Sequence, residues 1–222
     1  EFDIYATMDT AKEVGGDFYD FYFVGENKLG FLIADVSGKG IPAAMFMMTA
    51  KTIIKGYAEA GRAVDEVFTV ANAKLCESNE AGMFVTAWMG VLDITTGKIE
   101  FANAGHNPPL VRHADGSFEF LKSKPGFILA GMEGLKYRKN ELVLSAGDEI
   151  YLYTDGVTEA TNAENELYGE KRLVKLLDSL HGLSGEDICR AVKADIDAFA
   201  GDAPQFDDIT MLYLKYNGGS EK

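Results

Sequence analysis

Apolar and polar residues alternate with a period of two over residues 2–6, and an aromatic-rich run of the same kind follows at 18–24. Residues 29–34 are almost continuously apolar. Alternation predicts half-buried strands, and the continuous run predicts a strand covered on both faces. Gly25-Glu26-Asn27-Lys28 has the composition of a turn, so the second and third strands are expected to form an antiparallel hairpin. Centring that turn between Glu26 and Asn27 makes paired positions sum to 53, which sets Asp17 opposite Val36, beside Asp35.

The pattern then turns helical. Residues 41–60 are rich in Ala and Met, with Pro42 suited to a first turn and Gly61 to a stop. Val64, Val67, Phe68, Ala71 and Leu75 mark the apolar stripe of a second helix. At this spacing Met45, Met47 and Met48 are expected to pack into the core rather than to form an adaptable docking surface. Strands return at 85–92, 98–104, 109–113 and 118–121, with turns at Thr95-Thr96-Gly97 and Asp115-Gly116, and read as a meander. Residues 142–144 and 149–154 flank Gly147-Asp148 and read as another hairpin, its second strand ending at Asp155-Gly156.

A helix over 169–180 carries Leu173, Leu176, Leu177 and Leu180 on one face. A second opens at Ser184 with Asp187 three residues on, an approximate capping box, and would bury Ile188, Val192, Ile196 and Phe199. The final strand is 209–216. Both helical pairs need an apolar surface to cover. The simplest α+β solution is two stacked, mainly antiparallel sheets with a helical layer outside each. One domain over residues 1–216 and a short loose tail at 217–222 are expected.

Composition narrows the function. The 222 residues are 47% hydrophobic and 25% charged, enough for one domain with a proper core. With 21 Lys plus Arg against 35 Asp plus Glu, the formal charge of −14 repels phosphate backbones and anionic lipid, so nucleic acid is not an expected partner. No apolar run approaches the ~20 residues of a membrane helix. Cys76 and Cys189 fall in separate helical patterns without metal-ligand spacing, which predicts reduced thiols of a cytoplasmic domain rather than a disulfide. The chain opens on Glu1 without an initiator Met, as expected of a piece of a longer protein whose upstream regulation lies elsewhere.

The candidate chemistry is acidic. Asp17 begins a strand, Asp35 ends its hairpin partner, Asp155 ends another strand, and Asp207 begins the last. Each by itself also fits a solvated turn aspartate. Together, carboxylates confined to strand ends beside Gly or Asp suit hard, oxygen-liganded cations such as Mg²⁺ or Mn²⁺, because like charges this close cannot all stay ionised alone. Two such cations would lower the pKa of a water for attack on phosphorus. Competing chemistries lack their residues. A Walker loop would need Gly where Ile33 stands, no Gly-x-Ser-x-Gly occurs, and His106, His113 and His181 have no zinc spacing. His106 is a tentative general acid, with a structural turn histidine as the competing reading.

Five motifs, in order, carry a resemblance: Glu13-Val14-Gly15-Gly16-Asp17-Phe18-Tyr19-Asp20, Ala34-Asp35-Val36-Ser37-Gly38-Lys39-Gly40, Asn103-Ala104-Gly105-His106-Asn107-Pro108-Pro109, Tyr153-Thr154-Asp155-Gly156-Val157-Thr158-Glu159-Ala160 and Phe206-Asp207-Asp208-Ile209-Thr210. They span nearly the whole chain, which resembles the SpoIIE-like bacterial branch of the metal-dependent (PPM, type 2C) serine/threonine protein phosphatases. The resemblance implies a four-layer α/β/β/α sandwich with two Mn²⁺ or Mg²⁺ ions at one edge of the sheets. It implies that Asp35 bridges both ions, that the Val36 carbonyl binds one, that Asp155 and Asp207 hold the other, and that Asp17 ligates directly or through water.

Two departures from the eukaryotic members stand out. Ser37 occupies the place of a loop histidine, leaving the leaving-group acid unassigned, and no Arg lies near Asp17, with Lys12 a tentative phosphate ligand that would act as a point charge. The resemblance further implies a phosphorylated protein substrate, a small anti-sigma-factor antagonist, and control by upstream sensor domains. Pressure of such a domain, or of a homodimer partner, on residues 41–78 would move the short glycine turn after Asp35. A non-catalytic docking module of the same fold and a metal-dependent phosphodiesterase are the alternatives.

Overall fold

Residues 1–77, 79–114 and 116–219 are described by the computed structural model; Asp115 of the expected turn, Ser78 and residues 220–222 of the expected tail lie outside them. Strand β3 (Lys28–Val36) runs through the centre, and its two faces serve two different cores. Leu29, Phe31 and Ile33 point toward a second sheet and pack with Trp88, Phe101, Leu152 and Leu212. Leu32, Ala34 and Val36 point the other way, under helices. This explains the unbroken apolar run: neither face of the strand meets water.

One sheet has the order β2 (Phe18–Phe23), β3, β4 (Val85–Asp93), β5 (Lys98–Ala104), β8 (Asn140–Val143). The other has the order β1 (Phe2–Asp9), β10 (Ile209–Tyr216), β9 (Glu149–Tyr153), β6 (Leu110–Arg112), β7 (Phe118–Phe120). All ladders are antiparallel. Helices α1 (Ile41–Glu59) and α2 (Val64–Glu77) cover the first sheet. Helices α4 (Glu170–Ser179) and α5 (Gly185–Ala200) cover the second, and a single turn, α3 (Asp155–Thr158), follows β9. The expected α/β/β/α sandwich is therefore the observed one. The Ser184 hydroxyl accepts the Asp187 amide at 3.1 Å, the cap that starts α5. Among the described residues no helix is long and apolar enough to cross a membrane.

Four expectations are corrected. The β2–β3 register pairs Phe18 with Ala34 and Phe23 with Leu29, so positions sum to 52, and Asp17 extrapolates opposite Asp35 rather than Val36. The cause is an odd-length connection, closed by the Val24 amide on the Lys28 carbonyl at 2.8 Å with Gly25 at φ 106°. The meander is broken after β5. The Gly105–Pro109 corner carries the chain to the other sheet, where β6 pairs with β9, and Pro108 and Pro109 have no amide to continue a ladder.

The 142–144/149–154 hairpin does not form, because β8 pairs with β5 and β9 with β6 and β10. Between them the Asp148 carboxylate accepts the amides of Ser145 and Ala114 and bends the chain across. Finally, Met47 packs against the core while Met45 and Met48 are exposed and, with Ile41, leave an apolar stripe on the outer face of α1. At the far end the Asn217 amide still donates to the Glu1 carbonyl at 2.7 Å.

The core between the sheets is aromatic. Trp88 stacks on Phe101 with ring centroids 5.2 Å apart and tilts against Phe31 at 5.4 Å. Its Nε1 has no hydrogen-bond partner among the described residues, so its contribution comes from packing. Trp88→Ala should cost about 3–5 kcal/mol and Trp88→Phe far less, read by chemical denaturation; equal losses would show that the indole nitrogen matters.

Candidate metal centre

The sandwich brings the acidic strand ends to one edge. Asp35 is the penultimate residue of β3 and Asp17 directly precedes β2, both in the first sheet. Asp155 follows β9 by two residues and Asp207 precedes β10 by two, both in the second. The two sheets are locked together here by paired hydrogen bonds. Asp17, 2% exposed, accepts hydroxyls of Thr154 at 2.7 Å and Thr210 at 2.6 Å through one carboxylate oxygen. In return Asp208, from the second sheet, accepts the amides of Ala11 at 2.9 Å, Gly16 at 2.8 Å and Asp17 at 3.3 Å.

Two glycines permit that approach. A Cβ on Gly15 would overlap the Asp208 carboxylate, and one on Gly156 would overlap the Asp208 backbone carbonyl. Gly16 likewise clears the Val36 carbonyl, which a Cβ there would approach to 2.8 Å.

The electrostatics are those of crowded like charges. Burial, and then the charge of Asp155, push the Asp35 carboxyl up to about 7, partly offset by its hydrogen bond with Asp17. Burial and the neighbouring Asp35 hold Asp17 well above the carboxylate range, and burial with Glu159 and Asp207 raises Asp155. The one ammonium paired with the cluster among the described residues is Lys39, 3.0 Å from Asp207.

Among the described residues no set of three or more His, Cys, Asp or Glu side chains already stands in the arrangement of a metal site. Asp17 is turned toward its threonines and Asp207 toward Lys39, which accounts for that spread. The donor set nevertheless fits hard divalent cations. It is all oxygen, it is buried at Asp17 and half-buried at Asp35, and its mutual repulsion is the kind that cations relieve.

Of the tentative residues, His106 is buried beneath the edge. Its amide donates to Asn103 at 2.8 Å, Asn103 donates back to its carbonyl at 3.0 Å, and its Nδ1 lies 2.9 Å from the Thr86 hydroxyl. Burial pushes its pKa down to about 4, so it is a neutral anchor of the sheet-crossing corner. Lys12 is exposed, and among the described residues no hydrogen bond or ion pair joins it to the acids. Ser37 accepts the Phe84 amide at 2.8 Å and so pins the loop after Asp35.

Sequence reasoning missed Asp208, Thr154, Thr210 and Lys39. A period-two signal for the first three was present. Asp208 and Thr210 fall in phase with Leu212 and Leu214, and Thr154 with Leu152 and Ile150, all on the inward face.

Comparison with known proteins shows the family. The family model of Stage II sporulation protein E (SpoIIE) matches residues 25–217. The chain belongs to the SpoIIE family. It is 30% identical over 214 residues to phosphoserine phosphatase RsbU of Bacillus subtilis, covering 96% of this chain and 63% of RsbU. The SiaA-PP2C domain of Pseudomonas aeruginosa shares the fold, with a TM-score of 0.84 at 22% identity, over 96% of this chain and 85% of that one. So does RsbX in complex with magnesium, with a TM-score of 0.72 at 15% identity, over 96% and 94%. The chain spans 38 to 63% of the length of the curated relatives it matches.

Two predictions test the geometry of this SpoIIE domain. Folded Asp35 takes up its proton at about 7 and an unfolded aspartate near 3.8, so the folded state binds the extra proton between these values. Stability from this group is then highest at low pH and falls as pH rises through that window. In chelating buffer Asp35→Asn should therefore stabilise the domain by about 1–3 kcal/mol at pH 8, and by progressively less as the pH is lowered toward 4. A lower melting temperature for the variant at pH 8 would contradict the repulsion. Gly156→Ala forces a methyl into the Asp208 backbone, and should destabilise by about 1–3 kcal/mol or more in thermal melts.

Proposed function

We propose that this domain is a metal-dependent phosphoprotein phosphatase that hydrolyses phosphoserine or phosphothreonine on a partner protein. The observation that carries this reading is the edge cluster of Asp17, Asp35, Asp155 and Asp207: burial and neighbouring acids raise the pKa of the first three, and Lys39 is the one ammonium paired with the cluster among the described residues. Asp35 and the Val36 carbonyl would hold one of two Mn²⁺ or Mg²⁺ ions, Asp35, Asp155 and Asp207 the other, and Asp17 would ligate directly or through water. When bound, the pair supplies an acidified water and positive charge for attack on phosphorus.

The chain's own residues set the frame. Thr154 and Thr210 fix one oxygen of Asp17, and Asp208 fixes the loop before it. His106, neutral and buried, is a structural anchor in this reading and not a proton donor. Beside Asp207 lies a cavity of about 170 Å³ floored by Ile196, Ala200, Pro204 and Phe206, a place for residues flanking the phosphorylated side chain.

The substrate in this reading is a small anti-sigma-factor antagonist, in keeping with the phosphoserine phosphatases among the relatives. Control comes from an upstream domain, supported by the exposed stripe of Ile41, Met45 and Met48 on α1, which begins directly after the Gly38–Gly40 turn.

Phosphate release from a phosphoserine protein should require Mn²⁺ or Mg²⁺ and stop with chelator. Asp35→Asn and Asp207→Asn should each lower the rate at least about 100-fold while the variants stay folded. Turnover of a cyclic nucleotide in place of the phosphoprotein would favour a phosphodiesterase, and metal binding without any turnover a docking module.

A further inference from the structure

The Gly38-Lys39-Gly40 turn places one ammonium across the acidic edge. Lys39 Nζ lies 3.0 Å from Asp207 Oδ2, donates to the Phe206 carbonyl, and sits 3.7 Å from the centre of the Phe206 ring. It thereby ties the loop after β3 to the loop before β10.

The turn that carries it has room to change. Gly38 and Gly40 both have positive φ, 87° and 75°, and near Gly40 nothing stands within 4 Å of where a Cβ would be. The lysine side chain is 29% exposed and Asp207 36%, so the contact is half open to water. The Phe206 platform is 73% exposed and adds little that would bury the ammonium. Such a pair is weakly held and is easily exchanged for a stronger partner.

Asp207 thus has two suitors. A divalent cation carries twice the charge of the ammonium and takes carboxylate oxygens directly. A phosphoryl dianion arriving at the same edge would meet the carboxyls of Asp35, Asp155 and Asp207, and Lys39 is the one ammonium paired with them among the described residues, His106 being buried.

We propose that Lys39 is an exchangeable counter-ion. It neutralises Asp207 until a divalent cation replaces it, and the released ammonium then holds the substrate's phosphate as a point charge. The proposal rests on the metal-dependent phosphatase reading above, and assigns the phosphate-holding group that the sequence left to Lys12.

The test uses Lys39→Met, which keeps the length and apolar stem, and Lys39→Arg. Mn²⁺ binding to the substrate-free protein, measured by calorimetry, should tighten about three- to tenfold in Lys39→Met, because its competitor is gone. Binding of inorganic phosphate to the Mn²⁺-loaded protein should weaken about tenfold in Lys39→Met and be retained in Lys39→Arg. Unchanged or weaker Mn²⁺ binding in Lys39→Met would overturn the exchange. Tighter Mn²⁺ with unchanged phosphate binding would overturn the phosphate role. If Lys12→Met instead lost phosphate binding, the assignment would revert to Lys12. Absence of Mn²⁺ binding by the wild-type protein would sink the metal-dependent reading itself, a result distinct from either failure.

Discussion

The structure depends on a reciprocal clamp between the two sheets. A carboxylate from the first, Asp17, is held by hydroxyls of Thr154 and Thr210 from the second, and a carboxylate from the second, Asp208, gathers three amides of the loop that delivers Asp17. Each buried carboxyl is satisfied by donors from the opposite sheet or from the loop that joins the two sheets. Neither sheet alone could hold its acid in this environment, because an unpaired buried carboxylate costs several kcal/mol. The edge therefore exists only when the sandwich is closed.

That closure is secured away from the site. The space between the sheets is filled by Trp88, Phe101, Phe31 and the aliphatic residues of β9 and β10, and helices seal both outer faces. Crowding Asp17, Asp35 and Asp155 works against stability, as their raised pKa values record. A dry, well-packed interior offsets that repulsion and keeps the strand ends from splaying. The same division explains the glycines at the edge: side chains build the core, while bare backbone lets Asp208 approach Gly15 and Gly156.

The loop after Asp35 is tied down on both sides of the edge. Ser37 turns its hydroxyl to the Phe84 amide and stiffens the loop. The next side chain, Lys39, spans the edge to Phe206 and Asp207. The loop thus contributes an anchor and a charge, and its continuation into α1 links both to the exposed apolar stripe on that helix.

The sequence by itself determined the elements and the acids. The period of two over β1 and β2, the solid apolar run of β3, the helical stripes of α2 and α5 and the Ser184 cap all reflect local chemistry, and the structure bears them out. Placing Asp17, Asp35, Asp155 and Asp207 at strand ends was equally local. Only the tertiary structure decided which strand lies beside which. The 142–154 segment reads as a hairpin because a turn composition between two strands looks the same whether the chain folds back or crosses to another sheet. It also decided which acid does what. Asp207 and Asp208 are indistinguishable as neighbours in sequence, yet alternation sends one toward Lys39 and water and the other inward to three amides. The reason is one of range. Periodicity reports whether a residue meets water, but a partner 191 or more positions away, as Asp208 is for Asp17, is chosen by how the sheets stack.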